Sequence, residues 1–427
     1  MKNRILVFPC GSEIGLEIFR SLRYAKEVEI FGGSSVDDHG SFIYENYIGD
    51  IPRFDTDDFI EKINEVIETK KIDYIFPAHD DVVLRLALAI RQGSLNCKVI
   101  TSPYETCMIC RSKKLTMNLF EKDLRIPRVY RNLSEIKRWP VFLKPEFGQG
   151  SKGTAIAHNP NEFKYLLGKD STLIILEYLP GAEYTVDCFT DRNRRLIFVG
   201  GRERIRIQNG ISVHTKPVHN LMFKKFATKI NDTLELRGMW FFQVKQTIRG
   251  DLALMEIAPR IAGGMGLYRN MGINFALMSL YDAEGVDIEV LTNKIPIEMD
   301  RALENKFKIG FRFEHVYVDF DDCLVLNNEV NIDMIKFLYY CRNKGIRLHL
   351  ITRHPQPIIK DLRKYRLQNL FDTIDHLYNN EPKSISIKHA SAVFIDDSFT
   401  DRKEVKEALG IPVFAPDAVE SLLSVVD

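Results

Sequence analysis

Apolar and polar positions alternate with two periods along the first hundred residues. Residues 5–8 form a short unbroken apolar run, the pattern of a strand buried on both faces. Ile14, Ile18 and Leu22 then recur four apart, as on one face of a helix. A second apolar run covers residues 28–31. Ile60, Ile63 and Ile67 mark another helical face, opened by Asp57 and Asp58, whose charge suits a helix N-terminus. Runs at 72–76 and 99–101 continue the series. This β-α-β-α order predicts a parallel sheet with helices on both faces.

The pattern changes over residues 106–312. Here glycine-punctuated strands at 141–144, 154–157, 173–177, 184–189, 196–201, 241–247 and 252–257 read as antiparallel. From residue 314 the β-α alternation returns, with strands at 316–319, 348–352 and 392–396 and a helix face of Ile332, Ile335 and Tyr339 ending near Gly345. Between these regions, Phe307, Ile309, Phe311 and Phe313 alternate with polar residues, as in a strand. The expected organisation is three domains, residues 1–105, 106–312 and 314–427. The first and last are doubly wound α/β sheets, the middle one α+β.

A chain of 427 residues is long enough for three separate cores. Its 59 basic and 58 acidic residues sum to +1, which excludes the global basic field of a nucleic-acid binder. No apolar run approaches the ~18 residues of a membrane span, and the apolar start at 5–8 is too short for a signal peptide. Seven cysteines without a second pair to match Cys107 and Cys110 suggest neither a disulfide framework nor a zinc site. These features point to a cytoplasmic protein.

Chemistry concentrates in two places. Residues 141–153 read Val-Phe-Leu-Lys-Pro-Glu-Phe-Gly-Gln-Gly-Ser-Lys-Gly: a strand ending in Lys144, then a loop with Gly148, Gly150 and Gly153. Glycines let backbone N–H groups close on phosphate oxygens, and lysine supplies a point charge. Downstream, Glu177 and Glu183 flank an acidic turn. Gln243 and Glu256 lie thirteen apart on adjacent antiparallel strands, where two oxygen ligands can meet on Mg²⁺. Arg260 is placed to reach the same phosphates. Arg202, Arg204 and His214 flank the turn signal Gln208-Asn209-Gly210, and His79, Asp80 and Asp81 follow the strand at 72–76. Both groups are candidates for substrate contact.

This ordered set resembles the ATP-grasp superfamily, in particular members similar to carbamoyl-phosphate synthase and amino-acid ligases, over residues 1–312. The resemblance implies a Rossmann-like N-terminal domain preceding the ATP-grasp lobes. It also implies Lys113 and Lys144 as phosphate contacts and Gly148, Gly150, Ser151 and Gly153 in the loop covering the phosphates. Glu177, Tyr178 and Leu179 would lie along the adenine edge, Leu179 through its backbone, with Glu183 on the ribose. Gln243 and Glu256 would hold Mg²⁺, or Mn²⁺ in its place, and Arg260 would stand by the γ-phosphate. Ala258 departs from the family's Glu-x-Asn-Pro-Arg pattern, which puts the number of metal ions in question.

The second place begins at residues 316–324, where an apolar strand delivers Asp319 and Asp321, two apart and so on the same side of extended chain. Such a pair can bind Mg²⁺, attack phosphorus and move a proton. Thr352, Lys383, and then Asp396, Asp397 and Asp401 follow at later strand ends or helix starts. The order is similar to the haloacid dehalogenase superfamily of phosphohydrolases. That likeness implies Asp319 as nucleophile, Asp321 as general acid/base, Thr352 and Lys383 holding the phosphoryl group, and the three later aspartates placing the metal. Only 32 residues separate Asp319 from Thr352 and 30 separate Thr352 from Lys383, too few for a cap domain.

The expected protein is an ATP-dependent carboxylate–amine ligase, acting through an acyl phosphate, fused to a Mg²⁺-dependent phosphatase. Its partners would be a small carboxylate, a nucleophile and a phosphate ester, with neither nucleic acid nor membrane involved. A small-molecule kinase with a phosphatase, or an ATP-binding module that regulates the phosphatase, are the alternatives. Oligomeric state is not written in these patterns.

Overall fold

In the computed structural model, which describes residues 2–148, 150–378 and 381–423, the first apolar run is strand β1 (Asn3–Phe8). It is followed by α1 (Glu13–Leu22), β2 (Val28–Gly33), β3 (Asn46–Ile48), α2 (Phe59–Lys70), β4 (Tyr74–Pro77), α3 (Asp80–Arg91) and β5 (Lys98–Val99). The strands form one parallel sheet in the order β3-β2-β1-β4-β5. The order reverses between β1 and β4, so the loops leaving these two strands diverge and open a crevice. Both loops run straight into helices. Ser12 Oγ caps α1 by accepting from Gly15 N at 3.0 Å, and His79 Nδ1 caps α3 by accepting from Asp81 N at 3.2 Å.

Helices α4 (Tyr104–Arg111) and α5 (Lys113–Phe120) lead to an antiparallel four-stranded sheet. It contains β6 (Val129–Tyr130), β7 (Val141–Lys144), β8 (Ala155–Ala157) and, after α6 (Pro160–Lys169), β9 (Ile174–Glu177), in the order β6-β9-β7-β8. A six-stranded sheet follows. Its members are β10 (Glu183–Thr190), β11 (Leu196–Gln208), β12 (Ile211–Val218), β13 (Gly238–Gln246), β14 (Leu252–Ala258) and β15 (Met299–Asp300), ordered β14-β13-β10-β11-β12-β15. Helix α7 (Leu221–Thr233) lays Phe223, Phe226 and Ile230 on Val186, Trp240 and Phe242. The short α8 (Gly266–Arg269) and α9 (Phe275–Ala283) complete this region.

The parallel and six-stranded sheets share one core. Ile14, Ile18 and Leu22 of α1 pack in the same cluster as Phe189, Met239, Phe241 and Phe275. Truncating a fully buried member such as Ile18 to Ala would cost about 2–5 kcal/mol. Contacts accordingly gather residues 1–303 into one compact unit and residues 304–427 into a second. Cys107 and Cys110 are buried thiols on α4 and join no metal-ligand cluster among the described residues. No helix among the described residues is long and apolar enough to cross a membrane.

The second unit is a parallel sheet built from β16 (His315–Val318), β19 (Arg347–Thr352), β20 (Thr373–His376), β21 (Ala392–Ile395) and β22 (Val413–Phe414). Its order is β20-β19-β16-β21-β22. A small hairpin, β17 (Val325–Leu326) with β18 (Glu329–Val330), and helix α10 (Ile332–Asn343) lie between β16 and β19. Helix α11 (Ile358–Lys364) precedes β20 and α12 (Phe399–Leu409) precedes β22. Strand alternation sorts the faces: Val316 and Val318 join one core and Tyr317 the other.

Two expectations are corrected here. Residues 307–313 form no strand. Their alternation is real, since Ile309, Phe311 and Phe313 pack on the core of the second unit, but no neighbouring strand pairs with them. Helix α10 exists where expected, yet its buried face is Met334, Phe337, Leu338 and Cys341, while Ile332 and Tyr339 face solvent. The i, i+3, i+4, i+7 set outcompetes the predicted one because all four of its side chains are buried, whereas of the predicted three Ile335 alone packs against the core.

Candidate active sites

Two adjoining cavities of about 460 and 240 Å³ open in the N-terminal unit, sharing Lys113, Gln243 and Glu256 in their walls. The smaller is lined by Phe142, Ile156, Leu179 and Met255 together with Lys144, Glu177 and Glu183. Gln243 and Glu256 are direct cross-strand partners on β13 and β14, so the thirteen-residue spacing does bring the two side chains to one place.

The two lysines are buried cations. Lys144 ends β7, and among the described residues its Nζ donates to Met255 O alone, at a long 3.4 Å. Burial holds it down to about 8, opposed by Glu256, reinforced by Lys113 and opposed again by Glu183. Lys113 opens α5 and donates to Gly148 O at 2.7 Å, which ties the glycine loop to that helix. Burial lowers it as well, against the pull of Glu256. Two buried ammonium groups so weakly compensated suit a polyanion. The oxygens of Gln243 and Glu256 beside them suit a hard divalent cation.

The glycine loop closes against the β11–β12 turn. Gly150 has φ +60° and Gly210 φ +76°, and a Cβ on Gly210 would lie 2.2 Å from the Gly150 carbonyl carbon. Ser151 and Gly153 also hold positive φ, whereas Gln149 lies outside the described residues.

Several predicted residues are engaged differently from expectation. The Glu177 carboxylate accepts from Arg125 Nη2 and from Arg128 N at 3.1 Å, so its side chain is committed to the segment leading into β6. Tyr178 and Leu179 line the smaller cavity. Glu183 is 3.3 Å from Lys245 Nζ and 3.1 Å from Arg204 Nε. Arg260 grips Asp80 through Nε (2.6 Å) and Nη2 (2.9 Å) and gives Nη1 to Ile261 O (2.9 Å). Three of its five N–H groups are thus used. Asp81 is held by Arg111 at 2.7 Å, outside the cavity lining, so of the three acidic-loop candidates only His79 and Asp80 face the cavity. His214 pairs with Glu298 at 3.0 Å and lines neither cavity, a correction to its expected role beside Arg202 and Arg204.

The larger cavity sits at the β1/β4 crevice, and its wall joins residues expected from the sequence to others that were not. The N-terminal turns of α1 (Ser12, Glu13) and α3 (His79, Asp80) enter it, with Arg111, Arg202, Arg204 and Arg301. Arg202 makes a buried two-point contact with Asp187, at 2.7 and 3.3 Å, and Arg301 contacts Glu13 at 2.7 Å. A Cβ on Gly264 would stand 2.5 Å from Arg202 Nη1, so glycine there leaves room for the guanidinium beside the backbone. His79, Asp80, Arg202 and Arg204 were legible as candidates for substrate contact, whereas nothing in the spacing of Ser12, Glu13, Arg111, Gly264 or Arg301 pointed to them.

In the C-terminal unit, Asp319 leaves β16 and is almost fully buried. Lys383 Nζ lies 3.0 Å from its Oδ1, off the hydrogen-bond direction, so that oxygen is buried without a hydrogen bond. Burial pushes Asp319 up to about 7, opposed by Lys383 and reinforced by Asp396. Lys383 Nζ donates to Asp396 Oδ2 at 2.6 Å, and Ser398 N to Asp396 Oδ1 at 2.8 Å. Oxygens of Asp319, Asp396 and Asp397 all fall within 4.8 Å of one another. Three carboxylates against one lysine leave a surplus of negative charge, and the orphaned Asp319 oxygen fits a divalent cation.

Asp321 and Asp401 stand outside this cluster, contrary to their expected place among the metal ligands. Asp321 accepts from His354 Nδ1 at 2.9 Å, and Asp401 is bound at two points by Arg353 Nη1, at 2.9 and 3.0 Å. Thr352 is buried at the end of β19, and its Oγ1 accepts from His354 N at 3.1 Å. Arg353 and His354, next to Thr352 in sequence, were missed because nothing in their spacing links them to the aspartates. Among the described residues the segments between Asp319, Thr352 and Lys383 hold the small hairpin, α10, β19, α11 and β20, with no added domain.

Residues 169–302 match the family described as ATP-grasp in the biosynthetic pathway with Ter operon, a segment inside the N-terminal unit. The chain is 25% identical over 270 residues to the carbamoyl phosphate synthase large chain of Clostridium beijerinckii. That match covers 54% of this chain and 25% of the relative, so the chain spans about a quarter of that relative's length. It is 29% identical over 102 residues to a D-alanine–D-alanine ligase of Petrotoga mobilis, covering 22% of this chain and 34% of the ligase. Its fold is similar to that of N5-carboxyaminoimidazole synthetase from Staphylococcus aureus complexed with ADP. The TM-score is 0.58 at 16% identity, covering 71% of this chain and 83% of that one. These likenesses support the ATP-grasp superfamily and a mixed α/β architecture with several sheets.

Proposed function

We propose that the N-terminal unit is an ATP-dependent carboxylate–amine ligase and that the C-terminal unit is a Mg²⁺-dependent phosphohydrolase of the haloacid dehalogenase type. The observation that carries the first half is the meeting of two undercompensated buried lysines with the Gln243–Glu256 cross-strand pair, where the two cavities join. In this reading the smaller cavity takes the nucleotide. Its apolar wall holds the adenine, the backbone at Glu177–Leu179 reads the adenine edge and Glu183 holds the ribose. Lys113 and Lys144 bind and orient the phosphates, and the glycine loop excludes water from them. Gln243 and Glu256 hold Mg²⁺, which when bound supplies further neutralisation of phosphate charge. The larger cavity seats the carboxylate so that one of its oxygens faces the γ-phosphorus. An acyl phosphate and ADP result, and an amine then displaces phosphate to give the amide. Arg260, already anchored on Asp80, keeps two N–H groups for the transferring phosphoryl.

In the second site the Asp319 carboxylate attacks the phosphorus of an ester, and the leaving alcohol takes its proton from Asp321, which His354 positions. Asp321 then withdraws a proton from the water that releases phosphate. Thr352 and Lys383 hold the phosphoryl oxygens, and Asp319, Asp396 and Asp397 hold Mg²⁺. The match to ADP-bound and ligase relatives supports the first half. The second half rests on the site's own chemistry.

A screen of carboxylate and amine pairs, following ADP and phosphate separately, tests the reading. ADP formation that requires both a carboxylate and an amine is expected. ADP formed with a hydroxyl acceptor alone would replace the ligase by a kinase. Hydrolysis of small phosphate esters that persists in Asp319→Asn would remove the phosphohydrolase.

A further inference from the structure

Three imidazoles meet in the C-terminal unit, away from its carboxylate cluster. His315 opens β16, His349 lies in β19 beside Tyr317, and His389 stands three residues before β21. Asp319 is four residues further along the chain from His315, roughly 13 Å at extended-strand rise. Three separate pieces of chain therefore bring histidines together for no purpose that the phosphohydrolase site uses.

The packing is close. His315 Nδ1 lies 2.9 Å from His349 Nε2, and each of the three rings offers a nitrogen within 4.8 Å of the others. His315 and His389 stack at 3.6 Å between centroids. The nearby Asp372 is already spent on Arg347 Nη1 (2.8 Å) and Leu348 N (2.8 Å), and among the described residues no carboxylate joins the triad. His349 Nδ1 is 2.8 Å from Thr373 Oγ1. With that N–H donating to the hydroxyl, the Nε2 lone pair faces the other two rings, the outer-partner arrangement that fixes a ligating histidine.

We propose that His315, His349 and His389 bind a divalent transition metal of borderline softness, with Zn²⁺ as the representative ion and solvent completing the coordination. Imidazole suits this class, and the absence of oxygen ligands disfavours Mg²⁺ and Ca²⁺. At metal–nitrogen distances of about 2.0–2.1 Å, tetrahedral ligands stand about 3.3 Å apart. The 2.9 Å pair must therefore open by a few tenths of an ångström. The exposed His389 ring, now parallel to His315 at 9°, must turn about its side-chain torsions to aim its lone pair inward. Bound there, the ion would clamp β16, β19 and the segment before β21.

The test uses the full chain, stripped with EDTA and then held in excess Mg²⁺ to fill oxygen-ligand sites. Zn²⁺ is titrated calorimetrically, and Co²⁺ is followed by visible absorption. Wild type should bind one more Zn²⁺ than His389→Ala does and show the intense bands of tetrahedral Co²⁺. Thr373→Val should weaken Zn²⁺ by about 10-fold or more. His389→Ala should leave Mg²⁺-supported phosphate-ester hydrolysis unchanged, since the exposed ring is remote from the carboxylates. Equal Zn²⁺ binding by wild type and His389→Ala, or Co²⁺ spectra that do not differ between them, would reduce the triad to a hydrogen-bonded imidazole stack and overturn the proposal.

Discussion

The two candidate sites solve the same electrostatic problem with opposite signs. Where the N-terminal cavities join, two ammonium groups are buried with little compensation, and Lys144 is held down to about 8. At the end of β16 three carboxylates face one lysine, and Asp319 is pushed up to about 7. Burial is the largest cause in both cases, and in both it drives a charged group toward neutrality. A site short of negative charge is built to receive an anion, and a site short of positive charge to receive a cation. Each is strained until its ligand arrives.

The largest effect should come from removing the group that reacts. Asp319→Asn should lower ester hydrolysis by at least about 10³-fold and leave ADP formation intact, measured by phosphate and ADP assays on one preparation. Lys144→Met should lower ADP formation by about 10²–10³-fold and leave hydrolysis intact. Loss of both activities in either variant would break the comparison, because the sites would not be separable.

Stability should move the other way. Lys144→Met removes a buried charge while keeping the side chain's volume, so the nucleotide-free protein should gain ~2–3 kcal/mol at pH 7, read by chemical unfolding. A loss of stability would mean that Lys144 is better compensated than its contacts indicate. In EDTA, Asp319 keeps its proton to about pH 7 in the native state, whereas in the unfolded chain it ionises near 4. Between those values the native state binds more protons, so stability should fall as pH rises through that window. Mg²⁺ or Asp319→Asn should flatten this slope.

The smallest expected effect concerns the larger cavity. Gly264→Ala would press a methyl group on Arg202, and should raise the KM for the carboxylate about tenfold, a cost near 1.4 kcal/mol, with little change in KM for ATP. An equal rise in both would mean that Arg202 supports the fold rather than the acceptor.

Much of the fold was legible because its signals are local. The apolar runs at 5–8 and 28–31, and the four-residue recurrence of Ile14, Ile18 and Leu22, depend only on backbone periodicity. Their elements appear where that periodicity puts them. The same reading failed at 307–313, where alternation recorded burial without a partner strand, and on α10, where two competing faces were available and packing chose the larger. Among site residues, Gln243 and Glu256 were readable because a hairpin turns chain spacing into contact.

What the sequence determined alone was the kind of chemistry: lysines and glycines in one stretch, aspartates at successive strand ends in another. What only the tertiary structure decided was which of these groups remain free to use it. Arg260 is anchored by Asp80, 180 residues away, Asp401 is taken by Arg353, and Asp321 is held by His354. Arg202, Arg301 and the three histidines gained their settings in the same way. Charge pairing and burial act between groups that folding brings together, across separations that no local pattern encodes.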